Sequence, residues 1–402
     1  MKDTGVSPRS SPIYETFEER ISGLFEGLKI RTCIQCGTCA ASCPFGIGMD
    51  FTPRKIIAAL RADMIEDVIN GHGIWLCTAC FTCTDRCPSG IPLTDALITG
   101  MKEACLLHGK GPPLELQKAL QNTARYGNPF GESPRKRAEW VNEASAPVVD
   151  LTRDSKPVDV LLVTECYAAY HQRAKNVSIS LVKIFDKLGI NFGILGHEEK
   201  CIGDANRLAG EFGLFETLIE QNSKVLYKYD FKIIVTPDPH AYNALKNEYP
   251  KFGHFFNVYH YTQFLSEKLD ELKPLLKKEL NYTVTFHDPC YLGRRNGMFD
   301  EPRKILGAIP GLRFVEMPRN RSDSLCCGGG GGGVWLDSFI KEHIAVRPAE
   351  KRVKEAASTG AQVLAVACPI DLTMFEDAVK LLSLEEKLVI KDISELIVEA
   401  ME

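Results

Sequence analysis

The 402-residue chain lacks several things, and each absence narrows its use. No apolar run approaches the roughly 20 residues of a membrane-crossing helix, so any membrane contact is expected through a partner subunit. The first residues, MKDTGVSPRSSPIYETFEER, lack the apolar stretch of a secretory leader. A net charge of −4 leaves no basic excess, so nucleic acid is not an expected partner. No glycine-rich segment ends in Lys-Ser or Lys-Thr, which excludes a P-loop. The run Gly328–Gly333 satisfies a dinucleotide fingerprint formally. It follows Cys-Cys rather than a strand, and no acidic ribose partner is evident downstream, so nucleotide binding is not expected there. No flavin or nicotinamide motif is present, so two-electron cofactor chemistry has to come from another subunit.

What the chain has is cysteine, 15 residues of it. Without a secretory leader, so many thiols point to a reducing cytoplasm, where thiolates serve as metal ligands rather than disulfides. Hydrophobic residues make up 45% of the chain, enough for a sizeable core, and the length suggests two to three domains.

Eight cysteines form one motif written twice. Cys33, Cys36, Cys39 and Cys43 precede Pro44; Cys77, Cys80, Cys83 and Cys87 precede Pro88. The spacing C-x2-C-x2-C-x3-C-P holds a pair of 4Fe–4S clusters in bacterial-type ferredoxins, where the fourth cysteine of each run serves the other cluster. One cluster is therefore expected on Cys33, Cys36, Cys39 and Cys87. The second is expected on Cys77, Cys80, Cys83 and Cys43. Four thiolates also suit structural zinc, but zinc sites usually pair two short C-x2-C knuckles across a long spacer. Such cubes are oxygen-sensitive, so an anaerobic setting is expected.

Residues 1–12 read as a disordered tail rich in Ser and Pro, followed by a short helix from Tyr14 to Leu28. Residues 13–108 form a small, mostly helical domain around the two cysteine runs, with helical spacing in TPRKIIAALRADMIEDVINGHGIW and from Leu93 to His108. The stretch 109–155 is rich in breakers and reads as a linker lying against the surface. Beyond it, strands and helices alternate. DVLLV, NFGIL, FKIIVT, YTVTF and VLAVA are short buried strands, which predicts α/β layers with mainly parallel sheet.

That region repeats itself, as residues 156–280 and 281–402. VTECYAAY, KCIGD, IVTPDPHAYNALKNEY and VYHYTQFLSEKL correspond to FHDPCYLGR, LCCGG, AVACPIDLTMFEDA and VIKDISELIVEA. In this register Cys166 matches Cys290, Cys201 matches Cys326, Ile202 matches Cys327, Asp238 matches Cys368, and Ala241 matches Asp371. Strand ends of α/β units share one edge where ligands collect. Cys290, Cys326, Cys327 and Cys368 are expected to converge there, with the glycine run leaving the backbone free to wrap a bulky cofactor. The bland alternative is four buried structural cysteines. The first half keeps only Cys166 and Cys201, with Asp238 nearby and His171, His197 and His240 as further donors. It reads as a degenerate scaffold, or as a site for a single metal or an iron–sulfur fragment.

On these residues the chain resembles the heterodisulfide reductases. CIQCGTCAASCP…TPRKII…WLCTACFTCTDRCPSGIPLTD is similar to their small iron–sulfur subunit, and the rest to their subunit with two cysteine-rich CCG domains. The order is that of the fused D-type subunit. Related chains also occur with glycolate, lactate and glycerol-3-phosphate oxidoreductases and in benzoyl-CoA reductase complexes. The resemblance implies a bis-4Fe–4S ferredoxin-like domain followed by two α/β CCG domains. It also implies a third iron–sulfur cluster in the second CCG domain, on Cys290, Cys326, Cys327 and Cys368. Asp371 stands where the family has a fifth thiol, and the first CCG domain departs at Ile202, Asp238 and Ala241.

The expected role is an electron-transfer subunit of a larger hetero-oligomeric redox complex, with a flavoprotein or reductase subunit as partner. The alternatives are a disulfide reductase acting at the cluster near Cys326, Cys327 and Asp371, and a structural subunit whose CCG region only docks partners.

Overall fold

A computed structural model describes residues 30–402, together with Gly23. The expected disordered tail and the helix from Tyr14 to Leu28 lie outside these residues.

The two cysteine runs build a small helical body. Between them the sequence forms two helices, Pro53–Arg61 and Ile65–Asn70. The first starts with Pro53 at its first turn, where a missing N–H costs nothing. It turns Ile56, Ile57, Ala59 and Leu60 inward. After the second run, a π-helical turn Leu93–Ile98 runs straight into the helix Thr99–Leu107. Leu97, Met101, Ala104 and Cys105 from this pair are fully buried in the body's own core.

The stretch 109–155, expected as a linker, is ordered and largely regular. It contains the helix Leu114–Tyr126, which follows Pro113 and stops at Gly127 in the left-handed conformation. Leu116, Ala119 and Leu120 lie at helical spacing on its buried face. A 3-10 stretch Pro134–Glu143 follows and buries Arg137 and Trp140. Beyond it the chain enters strand β1 (Val149–Asp150) of the first sheet. Punctuation by Pro and Gly hid a helix whose apolar face is narrow.

The remaining strands are β2 (Val158–Leu162), β3 (Phe192–Ile194), β4 (Phe231–Thr236), β5 (Val258–His260), β6 (Thr283–Phe286), β7 (Arg313–Phe314), β8 (Val363–Val366) and β9 (Val389–Asp392). They form two separate sheets, ordered β1-β3-β2-β4-β5 and β7-β6-β8-β9, in which every pairing is parallel. Stripped of β1, the two orders are the same, so the internal repeat is a repeat of topology. Central strands such as β8, buried along its whole length, read as unbroken apolar runs because helices cover both faces.

The halves are related by an approximate two-fold exchange. The helix Lys175–Lys187 of the first half packs on Ile393–Met401 of the second, and Tyr261–Glu267 packs on Asp300–Ala308. The apolar residues of both sheets therefore form one continuous core. Arg173 crosses this interface to Glu376 at 2.6 Å and Glu395 at 2.7 Å. Among the described residues, no helix is long and apolar enough to cross a membrane.

Candidate metal centres

All 15 cysteines are free thiols, and 14 of them fall into four groups. Cys105 is the exception, buried alone in the helical body's core.

The first two groups are set by the paired loops. In each loop two residues adopt positive φ: Gln35 and Gly37 in the first, Ala79 and Phe81 in the second. Three of these four are not glycine, and such backbone strain persists only where the surroundings hold it. The alternation coils each loop into a concave nest of amides of the kind that holds anionic groups. Short helices, Thr38–Ala41 and Thr82–Asp85, then carry the third cysteine of each run. Threonines two residues after a cysteine meet its sulfur in both loops, Thr38 at Cys36 at 3.4 Å and Thr82 at Cys80 at 3.3 Å. The outcome is two cavities of about 320 and 330 Å3, mouths included. One is lined by Cys33, Cys36, Cys39 and Cys87, the other by Cys77, Cys80, Cys83 and Cys43. Cys36 is exposed and Cys80 and Cys83 are buried, so one cavity faces solvent and the other faces inward.

Around the inner cavity, Thr94 meets the Cys83 sulfur at 3.4 Å. Lys102, which is 1% exposed, donates to the Cys77 carbonyl at 3.0 Å. Burial lowers the pKa of Lys102, whereas the Cys77 sulfur, once anionic, holds the proton on. Burial raises the thiol pKa of Cys77 and Cys83, as expected of donors that lose their protons only to a cation.

The third group lies at the C-terminal edge of the second sheet. Cys290 follows β6, and Cys368 follows β8 as the N-cap of the helix Pro369–Leu381, making no side-chain cap bond of its own. Cys326 and Cys327 stand in the connecting loop, within hydrogen-bonding reach of each other. Their sulfurs accept from the backbone amides of Gly328 at 3.2 Å and Gly329 at 3.3 Å. Asp371 reaches Cys327, and burial pushes its carboxyl up to about 6. Its Oδ2 has no hydrogen-bond partner among the described residues; His287 Nε2 stands 3.6 Å away. An orphaned buried oxygen beside four buried or half-buried sulfurs is a donor set short of a cation, and an iron–sulfur cluster fits it.

The second and third groups touch. Cys326 is within hydrogen-bonding reach of Cys80 and meets the Thr78 hydroxyl at 3.4 Å. Arg294 donates to the Cys80 carbonyl at 2.8 Å and to Ser324 at 2.7 Å, pinning the two loops together. The glycine run serves this junction. A Cβ on Gly330 would stand 2.7 Å from the Thr78 carbonyl, and one on Gly332 2.6 Å from Leu116. Its glycines are thus needed for close approach of the helical body and the segment 109–155, beyond the expected wrapping of a cofactor.

The fourth group is Cys166 and Cys201, joined by a residue that sequence reasoning passed over. Glu165 offers a carboxylate within 4.8 Å of both sulfurs, and all three residues are buried. Its neighbour Arg137, from the segment read as linker, donates to Cys166 Sγ at 3.5 Å and to Glu199 at 2.7 Å. Asp238, the counterpart of Cys368, caps its helix by accepting from the amides of His240 at 2.7 Å and Ala241 at 3.1 Å. His171 stacks on Tyr167, His197 meets Thr152, and His240 pairs with Asp204 at 2.8 Å, so none of the three histidines joins the group. A cavity of about 560 Å3, mouth included, opens beside it and ends on Gly329–Gly332 of the second half.

Known families match three stretches of the chain. Residues 29–91 match the family described as 4Fe-4S dicluster domain. Residues 160–246 and 284–376 each match the cysteine-rich domain family, CCG. The chain is 37% identical over 291 residues to a probable iron–sulfur-binding oxidoreductase of Bacillus subtilis, FadF, covering 71% of this chain and 41% of that protein. It is 36% identical over 295 residues to the EtfAB:quinone oxidoreductase of Syntrophomonas wolfei, covering 72% and 41%. Over 408 residues it is 30% identical to the D-type subunit of the dihydromethanophenazine:CoB–CoM heterodisulfide reductase of Methanosarcina mazei, covering 93% and 94%. The chain thus spans about two fifths of the first two relatives and nearly all of the third.

Proposed function

Because this chain belongs to the iron–sulfur oxidoreductase family that includes the D-type heterodisulfide reductase subunits, we propose that it is the electron-transfer subunit of a larger redox complex. In this reading Cys33, Cys36, Cys39 and Cys87 hold one 4Fe–4S cluster, and Cys77, Cys80, Cys83 and Cys43 hold a second. Cys290, Cys326, Cys327 and Cys368, with Asp371, hold a third iron–sulfur cluster. Bound there, these clusters supply one-electron carriers in series.

The observation that carries the reading is the approach of Cys326 to the loop that bears Cys77 and Cys80, where the Thr78 hydroxyl meets the Cys326 sulfur at 3.4 Å. Two donor groups from different domains thus share a boundary, which Arg294 pins from Cys80 to Ser324. The residues around them do three things. Burial of Cys80, Cys83, Cys326, Cys327 and Cys368 excludes water from the inner groups. The Gly328 and Gly329 amides and the threonine hydroxyls stabilise charge on sulfur, which raises reduction potentials. Exposed Cys36 leaves the outer group open to a partner. A relative named for EtfAB and quinone makes a flavoprotein the partner to try first.

The test is iron and acid-labile sulfide per chain on anaerobically purified protein, with EPR of both redox forms. About twelve irons, falling by about four together with one EPR signal in Cys327→Ser, is the expected outcome. About eight irons in both proteins would leave the second half as scaffold.

A second reading has its own observation. The cavity that ends on Gly329–Gly332 lies next to the Cys326–Cys327 loop, and relatives are named for heterodisulfide reduction. A disulfide substrate would enter there. Turnover of a disulfide by the chain alone with a dye donor would favour catalysis over relay.

A further inference from the structure

Arg294 carries a charge that no carboxylate answers. It stands in the turn after β6, four residues beyond Cys290. There the amide of Arg295 donates back to the Cys290 carbonyl at 3.1 Å. The Nε of Arg294 donates to the Cys80 carbonyl at 2.8 Å. Its Nη1 donates to the Ser322 carbonyl at 3.2 Å and to the Ser324 carbonyl at 2.7 Å, just ahead of Cys326. One guanidinium is thus fixed among three segments, those that bear Cys80, Cys290 and Cys326.

What the site lacks is a counter-ion. Among the described residues no acid forms an ion pair with Arg294, whereas its neighbour Arg295 faces Asp95 at 3.5 Å and Glu248 at 3.4 Å. The Nη2 of Arg294 is buried and has no hydrogen-bond partner among the described residues. A buried cation left unpaired is costly, so the site asks for an anion. Burial works against the charge, but the Cys80, Cys290 and Cys326 sulfurs, once anionic, outweigh it and raise the guanidinium pKa; Asp85 acts more weakly than they do. Thiolates from two donor groups therefore supply the anion together, and Nη2 has an N–H left to give to sulfur.

Two centres that share a boundary resist each other's electrons. Each reduction adds a negative charge, and the first electron opposes the second. A cation between them favours the reduced form of both, and most of all the state in which both are reduced. Charge and hydrogen bonds at the sulfurs are the levers that set such potentials. Lys102 is different, since it donates to the Cys77 carbonyl and serves one group.

We propose that Arg294 is the charge bridge between the two inner centres, raising both reduction potentials and letting each hold an electron at the same time. The proposal rests on the reading that both donor groups hold iron–sulfur clusters. Two electrons held side by side match a partner or substrate that accepts a pair.

The test is an EPR-monitored redox titration of the full chain, purified anaerobically, beside its iron content and its thermal melt. In Arg294→Met both inner potentials should fall. At a fixed potential the reduced-to-oxidised ratio of each centre should drop roughly tenfold, which is about 59 mV for one electron. The doubly reduced fraction should drop further than either ratio, and the outer centre should not move. Arg294→Lys keeps the charge and should recover most of the shift, whereas Lys102→Met should move the Cys77 centre alone. A shift confined to one centre would overturn the proposal, as would unmoved potentials with a lowered melt, the mark of a structural pin. About eight irons in the wild type would overturn the underlying reading as well, while about twelve irons with unmoved potentials would overturn this inference alone. Should Arg294→Met not fold, pulsed EPR of the wild-type chain carrying isotope-labelled guanidinium nitrogen decides. Nitrogen coupling on both inner signals is expected, and its absence from either would overturn the bridge.

Discussion

At the scale of single residues, the side chains that set the chemistry are of two kinds. In the proposed reading the cysteines bind, and a few buried neighbours tune. Lys102 is the clearest tuner, a fully buried ammonium held on the Cys77 carbonyl at 3.0 Å. A positive charge there favours the reduced, more anionic form of whatever Cys77 ligates. Replacing Lys102 by Met removes a unit positive charge whose interaction with an added electron is about 1.5–3 kcal/mol at an effective dielectric of about 20. For one electron that is a downward shift of roughly 65–130 mV in the centre at Cys77. An EPR-monitored redox titration of Lys102→Met reads it, and an unchanged potential would show that Lys102 serves packing alone. Sequence reasoning passed over Lys102 and Glu165 for the same reason. Each is an ordinary charged residue until the chain folds it against a sulfur-bearing residue from 25 positions away or more.

At the scale of elements, the glycine run is the hinge of the design. It carries the Cys326–Cys327 loop over the helical body so closely that Gly330 and Gly332 leave no room for a Cβ. Gly330→Ala would set a Cβ at 2.7 Å from the Thr78 carbonyl, a backbone atom that cannot rotate aside. The expected outcome is a loss of about 1–3 kcal/mol in stability, as for other overpacked contacts. Reoxidation of the second half's centre through the ferredoxin loops should slow with it. Rapid-mixing kinetics beside a thermal melt check both, and an unaffected rate would mean that Thr78 and the Gly run do not form the electronic junction. Elements also explain the divergence of the halves. With Asp238 in place of a thiol, the first half gains an N-cap for the helix Pro239–Asn243, a role its counterpart Cys368 does not fill.

At the scale of the whole molecule, the two halves are held together by one core and by buried polar links across it. Tyr261 of the first half donates to Asp392 of the second at 2.8 Å. Burial pushes the Asp392 carboxyl up to about 7, and its Oδ2 has no hydrogen-bond partner among the described residues. The unfolded chain releases this proton near pH 4, while the folded chain keeps it until about 7. The folded state therefore binds more protons in that window, and the group's contribution to stability falls as pH rises through it. The slope is at most about 1.4 kcal/mol per pH unit. Asp392→Asn keeps an acceptor for the Ser394 amide and cannot ionise. Its denaturation midpoint should match the wild type near pH 4 and exceed it at pH 8. Parallel pH profiles for the two proteins would rule the assignment out.

Motif spacing and strand-helix alternation were enough, from sequence alone, to give the α/β class, the internal repeat and the grouping of cysteines into runs. These are local properties, because ligand spacing in a loop and apolar runs in a buried strand depend on neighbours in the chain. Tertiary structure alone decided the rest. The helix Leu114–Tyr126 and strand β1 emerged from a stretch whose prolines and glycines suggested a linker, since their burial depends on surfaces supplied by the other domains. It also set Cys80 against Cys326, Arg137 beside Cys166, and Glu165 between two thiols. Those contacts join residues up to 246 positions apart, and no periodicity along the chain encodes a distance closed only when two domains pack.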